Sequence, residues 1–157
     1  MGRVLLLVLL ASVAGLFLFN HRRAEAAESR LGTIATELAG RPVRIHCQGV
    51  VGAALDVSSE AGSVEFDAQG RPADTAELKH GVCTSLGHFT RDVGGADYGC
   101  VLGGAQCPTG VMHSVWAVHT VAHESWHLRG ERDEGVTECL AFQTTSTVAV
   151  RLGARCR

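Results

Sequence analysis

The stretch HESWHLRGERDEGVTECLAFQ, residues 123–143, decides how the chain is read. Ahead of it and into it, Val111, Val115, Val118, Ala122 and Trp126 recur at spacings of three and four, which predicts one long helix over 111–129. Gly130 stands where a helix carboxyl cap belongs. Asp133 is a good amino cap, and the pattern from Glu134 toward Val150 predicts a second helix. So short a connection folds the two helices into an antiparallel or steeply crossed pair.

Within that pair, His123-Glu124-Ser125-Trp126-His127 has the form H-E-x-x-H. Residues 123 and 127 are one turn apart on one helical face, so both imidazoles can reach a single ion at about 2.0–2.1 Å. Glu124 is rotated about 100° from His123, to the flank of that face, where it can hydrogen-bond a water on the metal without ligating it. It is the candidate general base. Zinc suits two neutral imidazoles and a carboxylate, and it lowers the pKa of its water toward about 7. A catalytic zinc needs a third protein ligand, and Glu134, in the first turn of the second helix, can point back at the histidines. Glu138, four residues further along the same face, is placed to hydrogen-bond the outer nitrogen of a ligand histidine.

These residues resemble the zincin metallopeptidases, and within them the gluzincin branch, in which H-E-x-x-H is paired with a later helix carrying N-E-x-x-x-D. Asp133-Glu134-Gly-Val-Thr-Glu138 looks like that second motif with acidic substitutions at both ends. The resemblance implies a zincin-like fold, with Glu134 as third ligand and Glu138 supporting a histidine. The gap between the motifs is shorter than is usual in gluzincins, and no histidine follows position 127 to serve as their downstream oxyanion partner. His127-Leu-Arg-Gly-Glu-Arg-Asp133 also resembles the metzincin pattern H-x-x-G-x-x-H, which makes Asp133 a rival ligand beside Glu138. Metzincins need a methionine after the site, whereas Met1 and Met112 both precede it. The whole 123–143 block is similar to one in small, uncharacterised, membrane-attached bacterial proteins.

Outside the motif, the chain of 157 residues opens with an apolar run over Val4–Phe19, followed by Asn20-His21-Arg22-Arg23. Sixteen residues at 1.5 Å each cover about 24 Å, short for a span yet usable. Ala24-Glu25-Ala26 would serve as a signal-peptide cleavage site, but the two arginines lie between it and the apolar core, which favours an uncleaved anchor over residues 1–23. By the positive-inside rule those arginines hold the following domain in the cytoplasm. The six cysteines argue the other way: their number is even, none forms a Cys-x-x-Cys pair, and extracytoplasmic disulfides are the better reading. Six cysteines allow 15 pairings, of which only Cys100–Cys107 is locally plausible. The expected arrangement is a single-pass membrane protein with its domain, residues 24–157, outside the cytoplasm, or a secreted protein if the leader is cleaved.

In that domain, residues 24–39 have helical spacing ended by Gly40-Arg41-Pro42. Val43–Cys47 and Ser63–Phe66 alternate as strands, with a turn over Asp67–Pro72. Leu78, Val82 and Leu86 recur every four residues behind Asp74, which predicts a helix over 74–86, and Gly94–Gly110 reads as a loop. The fold class is α+β, mainly helical with a small β-sheet behind an N-terminal transmembrane helix. Removing Arg3, Arg22 and Arg23 from the 14 Lys and Arg leaves 11 against 16 Asp and Glu, a net of −5. No basic surface is available for phosphates, which excludes nucleic acid as a partner.

Among the other polar residues, His119 shares the metal face but lies two turns from His127, too far for one ion, and reads as a partly buried histidine making one hydrogen bond. Tyr98 could supply an oxyanion donor, though a packing role is simpler, and Arg129 and Arg132 read as solvated turn residues. Two functions fit. One is a membrane-anchored zinc metallopeptidase, with His123, His127 and Glu134 on Zn²⁺, Glu124 as catalytic base and a peptide or protein substrate. The other is a non-catalytic, metal-stabilised extracytoplasmic interaction module. The sequence leaves the oligomeric state open.

Overall fold

The leucine- and alanine-rich amino end continues into the domain as one unbroken helix, α1 (Gly2–Ala39). The computed structural model describes residues 2–56, 58–92, 100 and 106–154, and within α1 the side chains of residues 2–8, 11, 13, 17 and 20 lie outside the description. Leu9, Leu10, Leu16, Leu18 and Phe19 are exposed. Among the described residues, no helix is long and apolar enough to cross a membrane. Further along, Leu31, Ile34, Ala35 and Ala39 are buried, the face expected from their spacing. Gly40 ends the helix at φ +70°, a conformation that glycine adopts without a Cβ penalty.

Three strands follow: β1 (Arg44–Cys47), β2 (Gly62–Phe66) and β3 (Pro72–Leu78). Their order in the sheet is β1-β3-β2, with β3 parallel to β1 and antiparallel to β2. A short helix the sequence did not announce, α2 (Val50–Leu55), lies between β1 and β2 and buries no residue. The expected helix over 74–86 is corrected here. Its first five residues belong to β3, the next, Lys79, is the junction, and a helix begins only at α3 (His80–Asp92). The every-four spacing of Leu78, Val82 and Leu86 concealed a two-residue alternation in which Ala76 and Leu78 are fully buried and Glu77 is exposed. Without β3 between them, β1 and β2 would have no common partner, so sheet formation overrides the local pattern. Asp74 pairs with Arg41 instead of capping a helix. Arg41 also donates to the backbone oxygens of Ala73 at 2.6 Å and Leu128 at 2.8 Å, tying the end of α1 to the sheet and to the motif helix.

The last two helices are α4 (Thr109–Arg129) and α5 (Glu134–Arg151), close to their expected bounds. Gly130 caps α4 at φ +115°, and Asp133 caps α5 by accepting from the backbone N–H of Val136. α4 is the centre of the domain, packed by α1, α3, α5 and the sheet, with Ala117, Val118, Val121, Ala122 and Leu128 at most 2% exposed. The architecture is therefore α+β, mainly helical over a three-stranded sheet. Among the described residues two disulfides are present, Cys47–Cys83 joining β1 to α3 and the expected Cys100–Cys107. Cys139 is free and exposed, and Cys156 lies outside the described residues. So do Tyr98 and most of the expected loop over 94–110, although Thr109 and Gly110 already belong to α4.

Candidate metal centre

Because α4 is buried on most of its circumference, the side chains of its one open face are held by a rigid backbone. That face looks into a cleft of about 510 Å³. β2 forms one wall through Gly62, Ser63, Val64 and Phe66, α4 the floor through Trp116, His119, His123, Glu124 and His127, and α5 the other wall through Glu134 and Glu138.

The turn at Gly130 brings the start of α5 back over the second half of α4. His123 Nε2 lies 3.0 Å from His127 Nε2 and 3.1 Å from Glu134 Oε2, and His127 Nε2 lies 3.4 Å from Glu134 Oε1. Four donors at about 2.0–2.1 Å from a tetrahedral ion stand about 3.3–3.4 Å from one another, so the three separations have the size of a zinc ligand set. The chemistry of the donors agrees. His127 Nδ1 is 2.8 Å from the backbone oxygen of Glu131, which can only accept, so Nδ1 carries a proton and the neutral ring presents its lone pair at Nε2. His123 Nδ1 is 3.0 Å from Glu138 Oε2, and hydrogen bonds from His119 and then from His123 hold this carboxyl below its ordinary pKa. As an anion it accepts, so His123 also presents its Nε2 lone pair. With both rings neutral, two lone pairs and a carboxylate meet at one point. Such an arrangement is repulsive alone and becomes a ligand set around a cation.

Of the residues singled out in the sequence, His123, His127 and Glu134 converge on one point, and Glu138 stands behind His123. Asp133, the rival ligand, is committed to capping α5 and contributes to neither group of metal-competent side chains. Glu124 is adjacent to the pair, 4% exposed, with Oε2 unpartnered. Burial first, then the charges of Glu134 and Glu60, push its carboxyl up to about 8.

Three residues in and around the cleft take roles the sequence did not suggest. Gly62 begins β2 against Glu124, where a Cβ would meet Oε1 at 2.7 Å. Only the glycine itself, at the start of an alternating strand, could have signalled a close approach. Arg132 lines the cleft with its guanidinium 5.5 Å from the Phe66 ring, in place of the solvated turn residue expected. His119 makes two polar contacts instead of one, Nδ1 at 2.9 Å from Thr145 Oγ1 and Nε2 at 3.0 Å from Glu138 Oε2. Its four-residue offset from His123 was visible, but the partner on α5 was not. His113 is exposed and outside the cleft. Comparison with known proteins finds no matching family model, no matching curated protein and no matching solved structure.

Proposed function

We propose that this chain is a zinc-dependent peptidase attached to a membrane by its apolar amino end, with its domain outside the cytoplasm. The observation that carries the reading is the convergence of His123 Nε2, His127 Nε2 and the Glu134 carboxylate: the two nitrogens are 3.0 Å apart, with Glu134 Oε2 3.1 Å from the first and Oε1 3.4 Å from the second. His123, His127 and Glu134 would hold the ion, and zinc, when bound, would supply Lewis acidity and a water acidified toward about 7.

The remaining work falls to the chain's own residues. Glu124 Oε2, buried and unpartnered at the cleft floor, would take a proton from the attacking water and return it to the leaving amine. Its raised pKa suits it to hold that proton between the two transfers. β2 is an edge strand along the cleft, so its outer backbone groups can receive an extended peptide by strand addition, which favours a peptide over a compact small molecule. The two disulfides support an oxidising compartment, and the run Val4–Phe19 supports attachment.

The test is Glu124→Gln in the full chain, assayed on a mixed peptide library beside a zinc determination. One zinc per chain in both proteins, with hydrolysis only by wild type, is the expected result. Equal hydrolysis by the variant would end the mechanism. Zinc without hydrolysis by either protein would select the metal-stabilised interaction module, and no zinc in either would remove both readings.

A further inference from the structure

We infer that His119 is a positioning residue that locks Glu138 against His123; what this does for metal binding rests on the reading of the site proposed above. His119 is buried, its ring edge-on to Trp116 at 5.5 Å and 4.6 Å from Phe142. Thr145 Oγ1 lies 2.9 Å from His119 Nδ1 and 2.7 Å from the Ala141 backbone oxygen, and its rotatable hydroxyl can donate to Nδ1, which puts the single proton of the neutral ring on Nε2. On the other side, His119 Nε2 reaches Glu138 Oε2, the same oxygen that meets His123 Nδ1.

The Glu138 side chain is 39% exposed and that of His119 is 7% exposed. Alone, a carboxylate so placed would turn among water-facing rotamers. Two ring N–H groups on one of its oxygens fix both its direction and its charge, and the buried ring, wedged between aromatics, is the immobile partner. His123 then has one arrangement open to it, Nδ1–H toward Glu138 and a bare Nε2 toward Glu134 and His127. Loss of His119 frees Glu138 and lets His123 exchange tautomers, without touching any group that would bind the ion. His119, His123 and Glu138 also lie within 4.8 Å of one another, as a second ion would require. Such an ion would need the Nδ1 lone pair of His123 while its Nε2 lone pair serves the first, leaving the ring no proton.

The experiment measures zinc affinity of the full chain by competition with a chromophoric chelator. His119→Phe keeps a buried ring and removes its nitrogens; His119→Gln keeps a donor for Glu138. The expected result is a fall of about 10- to 100-fold for His119→Phe, substantial rescue by His119→Gln, and no further loss when His119→Phe is added to Glu138→Ala. Unchanged affinity in His119→Phe, losses that add in the double variant, or two zinc ions per wild-type chain would each overturn the assignment. A lowered melting temperature of the chelated protein at constant affinity would show packing only, and would overturn it too. Should wild type take up no zinc, the metal reading falls separately, and nitrogen-15 NMR of the metal-free protein still decides. His123 must then be the Nδ1–H tautomer in wild type and lose that preference in His119→Phe; the same tautomer in both refutes the role.

Discussion

Gly62 and Glu124 are in contact: a Cβ on Gly62 would stand 2.7 Å from Glu124 Oε1 and 2.9 Å from its Cγ. The first residue of β2 thus sets how deeply the carboxyl of α4 sits in the cleft. Gly62→Ala should displace Glu124 while leaving the ring nitrogens and Glu134 in place. The expected outcome is retained zinc with peptide hydrolysis reduced at least tenfold, read as kcat beside metal content. Loss of zinc in this variant would mean that β2 supports the metal centre itself.

Glu124 also makes the metal-free fold sensitive to pH. Its pKa rises from 4.5 in the unfolded chain to about 8 in the folded one, so between these values the folded state binds more protons and stability falls as pH rises. The contribution is complete below about pH 4.5 and is lost as pH rises through 8, with a full amplitude on the order of 5 kcal/mol. Urea denaturation in chelator at pH 5, 6.5 and 8 should show this slope in wild type and a flatter one in Glu124→Gln. Parallel slopes would show that Glu124 does not carry it.

Ligand identity can be separated from helix capping. Glu134→Ala should abolish stoichiometric zinc, because it removes one of the three converging donors. Asp133→Ala should keep zinc and lose about 1 kcal/mol of stability, the usual cost of a missing amino cap. Metal analysis and thermal unfolding of the two variants together check this; the opposite pattern would make Asp133 the ligand.

Chelation of the wild-type protein should lower its melting temperature, since the ion would join α4 to α5 and bind only the folded chain. The shift should grow with the logarithm of added zinc and be absent in His127→Ala. An equal shift in that variant would point to metal bound elsewhere.

The Cys47–Cys83 bridge spans 36 residues and joins the end of β1 to α3. Its removal by paired Cys→Ala substitution should cost about 3–4 kcal/mol in denaturant unfolding, from the loop entropy returned to the unfolded chain. A much smaller cost would indicate that the sheet already fixes this closure in the denatured ensemble.

Much of this was legible in the residues. The spacing of Val111, Val115, Val118 and Ala122, the glycine at 130 and the cap at 133 are local signals, and each reports on chain within one or two helical turns. For the same reason His123, His127 and the flanking Glu124 could be assigned to one face. Over 74–86 the helix is present from His80, but residues 74–78 are strand: Leu78, the first of the apolar residues recurring every fourth place with Val82 and Leu86, also fits a strand in which Ala76 and Leu78 are buried on either side of the exposed Glu77. The choice between them lay in β1 and β2, far away in the chain. The pairing of Cys47 with Cys83 was hidden for a similar reason, since it needs the parallel register of β1 on β3.

The amino-acid order by itself determined the two helices, the turn between them and the types of donor that they carry, because helical periodicity and capping act between residues a few positions apart. Only the tertiary structure decided that Glu134 faces the histidines while Asp133 caps, that His119 and His123 share one oxygen of Glu138, and that Gly62 lies under Glu124. Those relations depend on how α5 and β2 cross α4, and crossing geometry is fixed by packing between segments that the sequence keeps apart.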